Sequence, residues 1–360
     1  MTRQSRVLVA ALSGVLAFGV VASAWAQPVE KAGEGGRGAG PASQGGGGAP
    51  KASEAAPEAT SDKAQKKTPV YDESADVGQL IDAAVARAKK DHKRVLVQWG
   101  GNWCTWCLKL DGLMRTNKDI AHELLYEYEV VHADAGAKGK NTDLMKKFGA
   151  KPEEGFPFLT VLDEDGHAVA NQESGSLEVK DENGESVLGD KMGHDPAKVL
   201  AFLKKHEAQA QNADQVLAAG LLQARTENKT IFLHFGAPWC GWCHRLEAWM
   251  ARPEIAKTLA LDFVDLKIDV DRMTGGKELF AKIAGTDKAG LPWFAFMGGD
   301  GKVIASSMGP DGNIGFPAAD AEIAHFESML KKVHKSMCDG DIQELGESLR
   351  REEAERKKQK

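Results

Sequence analysis

Trp103-Cys104-Thr105-Trp106-Cys107 returns farther along the chain as Trp239-Cys240-Gly241-Trp242-Cys243. Two thiols separated by two residues close a small ring that opens and closes readily, so each pair can carry two electrons. The surroundings repeat as well. An apolar run precedes each pair, Val95-Leu96-Val97 and then Ile231-Phe232-Leu233, continuing through an aromatic (Trp99, Phe235) and a glycine (Gly100, Gly236). Apolar residues follow at helical spacing: Leu108, Leu110, Leu113 and Met114 in the first copy, Leu246, Trp249 and Met250 in the second. This pattern predicts strand, tight turn and helix, with the first cysteine at the helix start. Gly155-Phe156-Pro157-Phe158-Leu159 and Gly290-Leu291-Pro292-Trp293-Phe294 then open a proline-led strand in each copy. Pro157 lies 53 positions past Cys104, and Pro292 lies 52 past Cys240.

Both copies resemble the thioredoxin superfamily. The resemblance rests on the first strand, the Trp-Cys-x-x-Cys helix start, an Asp-rich strand (Val130 to Asp134; Val264 to Asp271) and the proline-led strand. Asp165-Gly166 and Asp300-Gly301 supply the turn after that last strand, a strong hairpin signal. The match extends over residues 71–335. It implies an α/β fold of two tandem thioredoxin-like domains, each a central mixed β-sheet flanked by helices. It also implies cis bonds at Phe156-Pro157 and Leu291-Pro292, set against the cysteine pairs.

A chain of 360 residues accommodates two ordinary domains. Apolar content of 42% and charged content of 27% fit soluble globular material. Net charge is −6 with no large basic block, so no nucleic-acid partner is expected. Arg3 and Arg6, the apolar run Val7 to Val21 and the small-x-small site Ala24-Trp25-Ala26 read as a secretory signal over residues 1–26. The run is shorter than the roughly 20 residues of a membrane span, so none is expected after cleavage. Export places the protein in a periplasmic or secreted, oxidising setting.

Residues 27–70, rich in Gly, Ala, Pro, Ser and Lys, are expected to be a flexible linker. Domain 1 is expected over 71–208, domain 2 over 209–336, and a charged tail, a solvated helix or a disordered end, over 337–360. Leu80, Ile81, Ala84, Val85 and Ala88 form one apolar helical face opening the first domain; Val216, Leu217, Leu221 and Ala224 do so in the second. Closing helices are expected near Pro196 to His206 and Ala319 to His334, and the polar stretch Gln172 to His194 as an extended hairpin or surface loop. Four of the five cysteines form the two pairs; Cys338 reads as an inert thiol near a frayed end or, functionally, as an intermolecular disulfide partner or third redox thiol.

A helix N-terminus offers unpaired N–H groups and a positive dipole end, both favouring a thiolate. Cys104 and Cys240 are therefore expected to attack a client disulfide, and Cys107 and Cys243 to resolve the mixed disulfide. Trp103 and Trp239 would rim the sites. The resemblance implies that the strand edges at Phe156-Pro157 and Leu291-Pro292 pair with the client backbone.

Two departures from the commonest family pattern stand out. Thr105-Trp106 and Gly241-Trp242 replace Gly-Pro between the cysteines, so redox direction is not readable. The buried acid that members often carry six positions before the first cysteine is Gln98 in one copy and His234 in the other. Only His234 can exchange a proton near neutrality, which predicts faster, more pH-sensitive resolution at the second site.

The function expected is an exported thiol–disulfide oxidoreductase acting on proteins with thiols or disulfides. It needs no organic cofactor or metal, and as a reductase it would draw on a thiol electron donor. Three other readings of the cysteines are open: a redox-inactive binding module of the same fold, a c-type haem carrier at Cys240 to His244, and a four-cysteine zinc site. Leu108 at the histidine's place in the first copy argues against haem, and the separate setting of each pair argues against zinc.

Overall fold

The computed structural model describes residues 69–358 apart from 137, 188, 190 and 191. The signal segment and almost all of the linker lie outside the described residues.

Strand alternation builds the first domain. In β1 (Arg94–Gly100) Val95, Val97 and Trp99 pack on one face against α1 (Val77–Asp91) and α4 (Thr142–Lys147). Leu96 faces the other layer, formed by α2 (Thr105–Thr116), α3 (Lys118–Glu127) and α5 (Pro196–His206). Strand β2 (Tyr128–Asp134) pairs parallel to β1, while β3 (Phe158–Leu162) pairs antiparallel to β1 and to β4 (Ala168–Glu173), giving the order β2-β1-β3-β4.

The second domain repeats this plan as β6-β5-β7-β8, with β5 (Thr230–Gly236), β6 (Phe263–Asp269), β7 (Trp293–Met297) and β8 (Val303–Ser306). Helices α6 (Ala213–Glu227) and α9 (Gly276–Ala284) cover one face. Helices α7 (Gly241–Met250), α8 (Pro253–Leu259) and α10 (Asp320–Val333) cover the other. The expected pair of tandem α/β domains with mixed sheets is what the chain forms.

The helices after the redox helices and the charged C-terminal stretch differ from the sequence pattern, while the stretch after β4 agrees with it. Each redox helix is followed at once by a second helix, because a local signal restarts it. Asn117 Oδ1 accepts from the N–H groups of Asp119 and Ile120 at the head of α3, and Pro253 begins α8. The stretch after β4 forms a hairpin-like arm, with Val179 N–H donating to Gly193 O at 3.0 Å and Asp181 N–H to Glu185 O at 2.8 Å.

The charged C-terminal stretch is neither disordered nor wholly solvated. It forms α11 (Asp339–Lys358), which buries Ile342, Leu345 and Leu349 in the core beneath α7 and α10. Trp249 Nε1 donates to Ser348 Oγ at 3.1 Å, and Arg245 pairs with Glu352 at 2.8 Å. Cys338 is exposed but not at a frayed end: its carbonyl accepts from Asp341 and Ile342 in the first turn of α11.

The two domains touch through a polar seam. The Arg272 guanidinium donates to both carboxylate oxygens of Glu127, at 3.1 and 2.9 Å, and to the carbonyls of Asp91 and His92. Lys267 Nζ meets Asp91 Oδ1 at 2.9 Å.

Candidate active site

Each cysteine pair is closed as a disulfide with its Cα atoms 5.3 Å apart, within the usual range for such a bond. Cys104 is the N-cap of α2 and Cys240 the N-cap of α7. In extended backbone geometry each directs its sulfur back over the helix end, where Sγ accepts from the N–H of Cys107 at 3.2 Å and of Cys243 at 3.1 Å. The cap position does for sulfur what it does for a serine or aspartate oxygen: it supplies a donor and the positive end of the helix. Cys104 is 7% exposed and Cys107 0%; Cys240 and Cys243 are 3% and 2%. The first cysteine is thus the outer one in each pair, clearly so in the first domain and narrowly in the second.

Both implied cis bonds are present, at Phe156-Pro157 and Leu291-Pro292. Phe156 packs against Cys104 and Cys107, and Leu291 against the cluster that holds Cys240 and Cys243. Among the described residues, the backbone N–H and C=O of Phe156 and Leu291 make no hydrogen bond. The Pro292 carbonyl is taken by Asn313 Nδ2 at 3.0 Å. Trp103, 47% exposed, stands edge-on to Phe156 at 5.6 Å. Trp239, 59% exposed, donates from Nε1 to Asp271 Oδ2 at 2.7 Å. These tryptophans are surface rims, not core packing.

The inner tryptophans differ between the sites. Trp106 meets His194 of the arm edge-on at 5.5 Å, and Lys109 Nζ ties the arm down by donating to Met192 O at 2.8 Å. Trp242 stacks on Phe316, with the Arg245 guanidinium 5.3 Å from its ring. Burial alone drives His194 down to about 4.

The two residues six positions before the first cysteines are both buried. Gln98 Nε2 donates to Tyr71 Oη at 2.7 Å and to the Cys107 carbonyl at 2.9 Å. His234 Nε2 meets Asp265 Oδ1 at 2.9 Å; no hydrogen bond or ion pair joins it to Cys243 among the described residues. Burial works against the Asp265 carboxylate, but His234, with Lys90 and Lys267 behind it, holds it below the usual range.

Three residues that the sequence reading passed over complete the sites. Tyr71, from the segment before α1, is buried against Cys104 and Cys107, and burial pushes its hydroxyl far up. A Cβ on Gly100 would lie 2.5 Å from Cys107 Sγ and 2.8 Å from Tyr71 Oη, so thiol and phenol line one small space.

The other two are acids on the redox helices themselves, Asp111 on α2 and Glu247 on α7, each one turn past the resolving cysteine and each buried. A neighbouring strand supplies the partner: His132 Nε2 lies 3.2 Å from Asp111 Oδ1, and Lys267 Nζ lies 2.8 Å from Glu247 Oε1. His132 and Lys267 occupy matching positions, paired in register with Gln98 and His234. Burial pushes His132 below the ordinary histidine range, against the pull of Asp111. The acids stand seven positions past the first cysteine in both copies, so superposing the internal repeat would have exposed them.

The chain thus holds two thioredoxin-fold domains, each with a disulfide at a helix start and a cis-proline strand beside it. Comparison with known families agrees on the fold. Residues 77–164 match the family described as thioredoxin-like, and residues 197–351 match Thioredox_DsbH, described as "Protein of unknown function, DUF255". The chain belongs to the thioredoxin superfamily.

Among solved structures, a disulphide isomerase from Xylella fastidiosa Temecula1 is 30% identical, with 39% of this chain covering 97% of that one at a TM-score of 0.32. A structure titled DsbH oxidoreductase is 20% identical, with 34% of this chain covering 84% of that one at a TM-score of 0.25. Human spermatogenesis-associated protein 20 is 33% identical over 72 residues, 20% of this chain but only 9% of that protein.

Proposed function

We propose that this protein is an exported thiol–disulfide oxidoreductase that exchanges disulfides with client proteins at both sites, in a periplasmic or secreted setting. The observation that carries the reading is the N-cap placement of Cys104 and Cys240. A sulfur there receives an N–H from the helix and sits outside its partner, which suits a nucleophilic thiolate.

Written as a reduction, the thiolate of Cys104 or Cys240 attacks one sulfur of a client disulfide. The client's other sulfur leaves as a thiolate and takes a proton from water. Cys107 or Cys243 then loses its proton and attacks the first cysteine's sulfur. The mixed disulfide breaks, the second client sulfur leaves, and the enzyme is left oxidised by two electrons. Client oxidation is the same sequence reversed, and a thiol donor closes the reductive cycle.

Trp103 and Trp239 offer apolar rims to an unfolded client segment. The unused backbone groups of Phe156 and Leu291 suit a short strand pairing with it. The match of residues 77–164 to the thioredoxin-like family supports the same chemistry. Export is supported by the basic, apolar and small-x-small pattern of residues 1–26. Among the described residues no helix is long and apolar enough to cross a membrane.

Insulin reduction with dithiothreitol as donor tests the reading. The chain is expected to accelerate precipitation, Cys104→Ser and Cys240→Ser each to lower the rate, and the double variant to abolish the acceleration. A double variant as fast as the parent would contradict it.

A further inference from the structure

Glu247 is buried on α7 with Cys243 one turn before it. A Cβ on Gly236 would lie 3.4 Å from Cys243 Sγ and 3.8 Å from Glu247 Oε1, so sulfur and carboxylate border one small space. Oε1 faces Lys267 Nζ at 2.8 Å yet receives no well-aligned hydrogen bond among the described residues, which leaves it a lone pair to offer a thiol.

Lys267 does not serve Glu247 alone. Its ammonium is shared with Asp91 Oδ1, 2.9 Å away at the C-terminal end of α1, in the other domain. The Arg272 guanidinium, bonded to the Asp91 and His92 carbonyls and clamped by Glu127, fixes that corner of the first domain against the second. A cavity of about 300 Å³ lined by Asp91, Pro238, His244, Asp265, Lys267 and Arg272 opens at the same seam.

We propose that the first domain is an electrostatic part of the second redox site: Asp91 holds Lys267 against Glu247, and Glu247 takes the proton of Cys243 when that thiol resolves a mixed disulfide. The inference rests on the exchange reading above. In the step concerned, the Cys243 S–H proton passes to the Glu247 carboxylate. The Cys243 thiolate forms a bond to Cys240 Sγ, the bond from Cys240 to the client sulfur breaks, and that sulfur leaves with its electron pair. Glu247 then returns its proton to water. Glu247 meets the reacting sulfur; Lys267 and Asp91 are positioning residues.

The charges around Glu247 are consistent with this division. Lys267 faces it from β6 and His244 from α7, the latter at 4.0 Å. His234 and Asp265 form their own pair on β5 and β6. Behind Lys267, the seam cavity is lined by Lys90, Asp91 and Lys93 from the first domain and by Arg272 from the loop after β6. Burial works against the Lys267 ammonium, but Glu247 and Asp91 outweigh it and hold Lys267 above the ordinary lysine range. A buried carboxylate deprived of its cation prefers the neutral acid, which accepts no proton.

The test uses the full chain with Cys104→Ser, Cys107→Ser and the exposed Cys338→Ser, so that only the second pair reports. Reduced protein mixed with Ellman's reagent releases one thionitrobenzoate when Cys240 attacks. A second is released when Cys243 resolves the adduct. The ratio of second to first rate, followed against pH, isolates the step. Glu247→Gln is expected to lower that ratio roughly a hundredfold at neutral pH. Lys267→Met should lower it roughly tenfold, with the rise of the second release moved to higher pH, and Lys267→Arg should restore most of it. Asp91→Asn, a substitution in the other domain, should move the ratio the same way by about threefold.

A parent that releases neither equivalent overturns the exchange reading and this inference with it. A parent that releases both, with the ratio unmoved in Glu247→Gln or Asp91→Asn, overturns the inference alone. Asp91 lies at a helix end on the seam, so its variant tests the coupling even if Lys267→Met does not fold.

Discussion

Gly100 and Gly236 hold equivalent places at the ends of β1 and β5, and the same substitution should have unequal effects. An alanine Cβ at Gly100 would sit 2.5 Å from Cys107 Sγ, 2.8 Å from Tyr71 Oη and 3.1 Å from Cys107 Cβ. Those groups are fully buried and cannot withdraw, because Tyr71 is bonded to Gln98 and Cys107 belongs to the first turn of α2. At Gly236 the nearest atoms are Cys243 Cβ at 3.3 Å and Sγ at 3.4 Å, which a shift of a few tenths of an ångström relieves.

Overpacking of the first kind costs about 1–3 kcal/mol, against about 0.4–1 kcal/mol recovered by stiffening the unfolded chain. Gly100→Ala should therefore lose roughly 1–2 kcal/mol and Gly236→Ala close to nothing. Urea unfolding of the two full-length variants, with pH and disulfide state matched, reads the difference. Equal midpoints, or a Gly236 variant less stable than the Gly100 variant, would refute the geometry given for the Tyr71–Cys107 space.

Other expectations follow from the same contacts. His194 is neutral in the folded chain and binds its proton only near pH 4, whereas an unfolded histidine binds at about 6.5. The unfolded state therefore takes up more protons between these values, and folding stability should fall, by up to about 3 kcal/mol, as pH drops through that window. His194→Phe should flatten the dependence, and urea titrations at pH 7 and pH 4.5 check it. Leu349 is fully buried beneath the second domain, so Leu349→Ala should cost about 2–5 kcal/mol, measured by thermal unfolding.

Much of this arrangement is legible before any coordinates. The doubled Trp-Cys-x-x-Cys, the apolar strand before it and the proline-led strand after it fix both sheets and both helix starts, because these signals are local and periodic. What escaped the sequence depends on contacts between distant segments. Tyr71 reaches Cys107 across the turn of another element, and no local spacing announces it.

Lys267 and Arg272 look like ordinary charges on a strand end and a loop until the first domain is docked against them. Helix α11 was obscured by its composition: its few buried apolar residues are outnumbered by charges that bind Arg245 and Arg252 or face solvent. Asp111 and Glu247 stand at one register of the repeat, seven positions past the first cysteine, and so are legible from it.

The account depends most on the outer sulfur of each pair being the reactive one. After full reduction, brief iodoacetamide labelling at mildly acidic pH followed by peptide mapping measures this directly. Carbamidomethyl should appear first on Cys104 and Cys240, while Cys107 and Cys243 remain unlabelled. Labelling that favours the inner cysteines, or leaves all four untouched while exposed Cys338 reacts, would contradict it.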